Sequence, residues 1–129
     1  MIKGHCFCQA ICFEISLNQL DAYHCHCSIC RKVTGSRFNT ATVIDANYFQ
    51  WTSDLNLIKT YKKDPTGFRH DFCSECGCTV PNLYKETKVW VPVGLLEEHP
   101  GIKVIKHIFV DSKACWDMIT DDLPQHAEF

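Results

Sequence analysis

Apolar and polar residues alternate through "HCFCQAICFEISL", residues 5–17, where Phe7, Ile11, Phe13, Ile15 and Leu17 share one face of an extended chain. That period of two predicts a half-buried strand with Cys6, Cys8, Ala10 and Cys12 on the opposite face. Residues i and i+2 of a strand point the same way, so Cys6 and Cys8 can grip a single ion. The next segment, "CSICRKVTG", is short and ends at Gly35, and it predicts a knuckle running into a helical turn. "SRFNTATVI" reads as a strand, and "DANYFQW" as a short helical turn capped by Asp45. "LNLIKTY" is another strand candidate, followed by the turn signal "KKDPTG", and "FRHDFC" leads into a second knuckle, "CSECG". Further strands are predicted at "TVPNLY", "KVWVPVG" and "KVIKHIFV", and a last helical turn at "KACWDMI". Many short strands and few long helices predict a mainly β, largely antiparallel architecture. Without a repeat, a low-complexity tract or a linker, residues 1–129 read as one domain.

Composition agrees with a globular chain, at 46% hydrophobic and 22% charged residues. The formal net charge of −2 offers no electrostatic reason to expect nucleic acid or an anionic membrane. The start "MIKGHCFC" lacks a signal-like apolar run, and no apolar stretch approaches the roughly 20 residues that span a bilayer. A cytoplasmic location is therefore expected.

Ten cysteines in 129 residues change the picture. They cluster as Cys6-x-Cys8, Cys25-x-Cys27-x2-Cys30 and Cys73-x2-Cys76-x-Cys78, with Cys12 and Cys115 apart. In a reducing compartment such clusters bind metal more often than they form disulfides, and disulfides between near neighbours are geometrically awkward. Thiolates are soft donors, and four of them on short arms suit zinc. Seven well-placed cysteines divide as four plus three: Cys6, Cys8, Cys73 and Cys76 closing one site, Cys25, Cys27 and Cys30 leaving a second site with one position to fill. The rival partition joins Cys27 and Cys30 to Cys73 and Cys76 as in a zinc ribbon. It requires a separation well beyond the usual 15–20 or so residues. His24 or His26 is an alternative fourth ligand of the second site, although neighbouring side chains diverge on an extended segment. Cys12, Cys78 and Cys115 read as small buried hydrophobes. Two zinc–thiolate centres would bring the formal charge to about −5, a further argument against a nucleic-acid module.

The motifs "GHCFC", "CHCSICRKVTGSRF" and "FCSECG", with the ending "HIFVDSKACWDMITDDLPQ", resemble the glutathione-dependent formaldehyde-activating enzyme (GFA) family, whose domain is shared with centromere protein V. The resemblance runs from Gly4 to Phe129, and Gln9 stands where that family usually has glycine. It implies a β-tent fold with zinc knuckles and two zinc ions. Cys6, Cys8, Cys73 and Cys76 would form the structural site, and Cys25, Cys27 and Cys30 the second, catalytic one. It also implies a carbon–sulfur lyase that joins a thiol such as glutathione to formaldehyde or a related small aldehyde, as an S-(hydroxymethyl)glutathione synthase does.

Around the second site, Arg31 and Lys32 are candidate anchors for substrate carboxylates, and His26 is the candidate acid–base or substrate-contacting group. Two other readings compete with the enzyme. One is a non-catalytic, zinc-stabilised binding module whose second zinc is closed by a protein ligand. The other is a zinc–thiolate redox or metal-responsive protein.

Overall fold

The computed structural model describes residues 1–64 and 67–129. Its strands are β1 (Ile2–His5), β2 (Cys12–Ile15), β3 (Leu20–Cys25), β4 (Asn39–Asp45), β5 (Phe49–Trp51), β6 (Ile58–Lys63), β7 (Phe68–Cys73), β8 (Asn82–Tyr84), β9 (Lys88–Pro92) and β10 (Ile102–Ile108). One α-helix, α1 (Ser28–Thr34), and short 3-10 turns complete the described elements, so the mainly β expectation is borne out. No described helix is long and apolar enough to cross a membrane. The chain forms two compact units, Met1–Asn18 with Val43–His99, and Gln19–Thr42 with Pro100–Phe129.

In the first unit, β1 pairs antiparallel with β2 and β2 with β5. This register sets Gly4 opposite Phe13, and Phe13 opposite Trp51. Ile2, Phe13 and Ile15 are buried. The Phe13 ring stacks on Phe49 at 5.3 Å and meets Trp51 edge-on at 6.1 Å. Burying such a ring contributes about 1.5–3 kcal/mol. The motif glycine now has a reason: a Cβ on Gly4 would collide with the Phe13 ring. β6 and β7 form an antiparallel ribbon from Ile58↔Cys73 to Lys63↔Phe68. The turn expected at "KKDPTG" includes Pro65 and Thr66 and lies partly outside the described residues. β8 and β9 make a second antiparallel pair. Asp45 caps the 3-10 turn Ala46–Tyr48 as predicted, its carboxylate accepting from the Asn47 N–H at 3.0 Å.

The second unit holds β3, the first part of β4, β10 and α1. The segment "LDAYHC", which becomes β3, escaped the sequence reading. Its buried positions alternate only at Leu20 and Ala22, and two polar aromatic residues follow. β3 pairs antiparallel with β4 but parallel with β10, with an irregularity between Val104 and Lys106. That parallel pairing departs from the antiparallel expectation, and it sets His107 beside His24 and Ile108 beside Cys25. The tail continues the sheet edge: the His107 N–H donates to Pro124 O, and the His126 N–H to His107 O.

Two further expectations are corrected. Residues 6–11 are a turn and not a strand, because the Cys6 N–H donates to Ile11 O and Gln9 turns left-handed. Phe7 is accordingly 86% exposed, whereas Ile11, Phe13 and Ile15 do share the buried face. The last helical turn falls at Val110–Ser112, ahead of "KACWDMI", which makes only a turn closed by the Asp117 N–H on Ala114 O.

The close approach of Gly4 to Phe13 makes a direct prediction. Gly4→Ala should lower unfolding free energy by about 1–3 kcal/mol, the usual cost of overpacking a core. Denaturant unfolding measures it; wild-type stability would mean that the ring yields freely.

Candidate metal centres

Each cluster is assembled from a knuckle that bends the chain so that separated sulfurs converge. In the first unit, the turn after β1 carries Cys6 and Cys8, while Cys73 ends β7 and Cys76 sits in the turn beyond it. Besides the Cys6 N–H bond to Ile11 O, the first turn is wound by Gln9 N–H to Cys6 O at 3.0 Å and Ile11 N–H to Cys6 Sγ at 3.4 Å. The second is closed by the Gly77 N–H on Cys73 O at 2.8 Å, with Gly77 at φ 76°. Cys6 and Cys73 are fully buried with Ile11 and Val80, and Trp51, Leu57 and Ile58 pack against them.

The four sulfurs of Cys6, Cys8, Cys73 and Cys76 lie within 4.8 Å of one another. Cys6 Sγ is 3.6 Å from Cys8 Sγ, and Cys8 Sγ is 3.8 Å from Cys73 Sγ. A tetrahedron with metal–sulfur bonds of about 2.3 Å has edges of about 3.8 Å, so this donor set fits a zinc-sized ion. These separations also exceed a disulfide bond of about 2.05 Å. All ten cysteines are free thiols in the structure, which removes the disulfide framework.

The second cluster lies wholly in the second unit. Cys25 ends β3, Cys27 caps α1 in an extended conformation, and Cys30 lies in the first turn of that helix. The Cys30 N–H donates to Cys27 Sγ at 3.3 Å, and Gly35 stops the helix at φ 60° as predicted. The three sulfurs lie within 4.8 Å of one another. Among the described residues no fourth His, Cys, Asp or Glu ligand atom lies within that distance of all three. The structure therefore assembles four plus three, and the ribbon-like partition is not what forms.

Three thiols this close cannot all ionise without a cation. Hydrogen bonds from Cys25 and Cys30 push the Cys27 thiol down to about 2. The same contacts push Cys25 up to about 11, chiefly through Cys27, and raise Cys30, chiefly through Cys25. The shared contacts thus favour a thiolate at Cys27 over one at Cys25 or Cys30, and a divalent cation is what would ionise all three.

The histidines stand elsewhere. His26 is fully buried, and its Nε2 lies 2.8 Å from His107 Nδ1. His107 Nε2 lies 2.9 Å from an Asp121 carboxylate oxygen. His24 Nδ1 contacts Thr40 Oγ1 at 2.7 Å, and its ring stacks on Phe38 at 3.9 Å. Burial first, then the neighbouring His107 and His26, push His24 down to about 4. Neither His24 nor His26 joins the sulfurs. Arg31 and Lys32 follow Cys30 on α1, with Lys32 exposed and the buried Arg31 Nε lacking a hydrogen-bond partner. Sequence reasoning missed His107, Asp117 and Asp121. No spacing rule links residues so far apart; the parallel pairing of β3 with β10 brings His107 in. Cys115 is exposed and Cys12 and Cys78 are half-buried, so none is the buried hydrophobe expected. The Cys78 sulfur accepts the Phe7 N–H at 3.4 Å beside the first cluster.

A family model described as glutathione-dependent formaldehyde-activating enzyme matches residues 1–112. Among solved structures, a Rhodobacter sphaeroides protein determined by structural genomics is similar, with 25% identity and a TM-score of 0.61. That likeness covers 76% of this chain and 91% of the other.

Gln9 sets the backbone path of the first knuckle. It sits at φ 66°, the left-handed region in which a side chain costs about 1–2 kcal/mol. Gln9→Gly should therefore raise the melting temperature of the metal-loaded protein by a few degrees. A lower melting temperature would show that the Gln9 side chain contributes more than its backbone strain costs.

Proposed function

Because the chain belongs to the glutathione-dependent formaldehyde-activating enzyme family, we propose that it is a zinc-dependent carbon–sulfur lyase. In this reading it adds a thiol such as glutathione to formaldehyde or a related small aldehyde. The observation that carries it is the asymmetry of the clusters, four convergent sulfurs in one and three in the other. A four-sulfur site is complete and structural, while three protein donors leave a position for a reactant.

A zinc ion held by Cys25, Cys27 and Cys30 would supply the charge that keeps a substrate thiol ionised near neutral pH. Three thiolate donors blunt Lewis acidity, which suits a soft sulfur reactant better than activation of water. In the addition, a sulfur lone pair forms the C–S bond and the carbonyl π pair moves to oxygen. That oxygen takes up a proton matching the one the thiol lost. Cleavage reverses each step, with no net redox change. The chain's own part is to anchor the thiol substrate. Arg31 offers a planar fork for a carboxylate and Lys32 a point charge. His26 is buried and engaged by His107, and in this reading it acts by positioning its neighbours.

The reaction is tested by NMR exchange spectroscopy on zinc-loaded protein with glutathione and formaldehyde. Faster interconversion of free aldehyde and hemithioacetal than in buffer is the expected outcome. A rate equal to buffer would sink the lyase reading for that pair.

The division of labour has its own test. Structural zinc binding supplies roughly 10 kcal/mol or more of apparent folding free energy, comparable to the whole stability of a domain. Cys73→Ser should unfold the chain at temperatures where the wild type is folded. Cys27→Ser should stay folded with one zinc and lose activity. Zinc stoichiometry and circular-dichroism melts measure both; equal unfolding of the two variants would overturn the assignment.

A further inference from the structure

Buried polar side chains are costly unless every bond is made, so a chain of them needs a reason. The second unit buries two histidines, His26 and His107, in one hydrogen-bonded line that ends on Asp121. A carboxylate only accepts, so the His107 Nε2–H donates to Asp121. His26 Nε2 and His107 Nδ1 share one proton across their 2.8 Å contact. His26 Nδ1 has no hydrogen-bond partner and faces Asp117 Oδ2 at 3.7 Å. Asp117 is held on its other oxygen by Arg37 Nε at 2.7 Å.

Each link is braced from outside. The Leu123 N–H donates to Asp121 Oδ1 at 3.0 Å, which orients the carboxylate. The tail bonds to both the N–H and the C=O of His107, and the His26 N–H donates to Ile108 O at 3.0 Å. Phe38 closes the group, with its ring 5.3 Å from His26 and 6.4 Å from His107. What the line reaches is the single residue between Cys25 and Cys27. Fixing the His26 ring fixes the backbone between two of the three sulfurs, and so their separation.

We propose that the C-terminal segment, acting through Asp121 and His107, is a positioning element for the Cys25–Cys27–Cys30 metal site. The inference rests on the reading that this cluster binds a metal. Its physical content is preorganisation: sulfurs already held together bind an ion without first being ordered. Hydrogen-bonded partners that orient a metal's surroundings are worth 10–100-fold or so in affinity when removed.

The test is a Co²⁺ titration of metal-free protein, following thiolate-to-cobalt charge-transfer and d–d absorption against a competing chelator. Asp121 is suited to substitution because its side chain is 46% exposed, so its loss opens no core cavity. Wild type should bind two equivalents, with Cys27→Ser marking the spectrum that remains when the second site is lost. Asp121→Ala should bind the first equivalent as wild type does and the second about 10–100-fold more weakly. Asp121→Asn, which keeps the shape and removes the charge, serves if the alanine variant does not fold, with the same loss expected. Two equivalents bound with wild-type affinities in a folded variant would overturn the positioning role and leave the metal reading intact. Equal weakening at both sites would also overturn it, since that reports general loss of fold. A wild type that binds only one equivalent would sink the metal reading of the second cluster and this inference with it.

Discussion

Mutual repulsion between thiolates is the constraint on which the rest of this structure depends. Two unit charges about 4 Å apart repel by roughly 4 kcal/mol at an effective dielectric of 20, so fully ionised clusters need a cation among them. The architecture accepts this twice. It holds Cys8 Sγ at 3.6 and 3.8 Å from two neighbouring sulfurs in one unit, and three sulfurs within 4.8 Å in the other. Backbone N–H groups aimed at Cys6 and Cys27 sulfur favour the charged form. The strands deliver the cysteines, and short turns provide the close approach that straight strands do not.

The clusters differ in what surrounds them. Cys6 and Cys73 are part of an apolar core with Ile11 and Val80, so the first cluster and the hydrophobic packing of its unit are one object. Cys25 and Cys27 instead flank a buried imidazole that belongs to a polar line of His26, His107 and Asp121. Apolar packing tolerates small shifts, whereas hydrogen bonds are directional and fix angles. A site meant only to hold structure is served by the first kind of support. In the proposed function, a site that exchanges a ligand at constant geometry is served by the second.

Much of this was legible in the residues. The knuckles, the Gly35 stop and the Asp45 cap follow from spacing and local chemistry, each acting over a few residues, whereas spacing only favoured the four-plus-three division that the fold assembles. The turn at residues 6–11 was misread because the alternation of Phe7, Ile11 and Phe13 mimics a strand, while the left-handed Gln9 that breaks it carries no local signal. β3 was missed for a related reason, since its inward positions include polar His24. A histidine reads as polar until the partners that satisfy it are known.

By itself the sequence determined which residues could hold a metal, because clustered thiols on tight knuckles are the donor sets that soft cations take. It also determined the mainly β class, through short alternating segments punctuated by turn residues. Only the tertiary structure decided what His26 does. Its partners, His107 and Asp121, arrive through the parallel pairing of β3 with β10 and the return of the tail. Such pairings are set by the competition of whole strands for edges and burial, which no local pattern records.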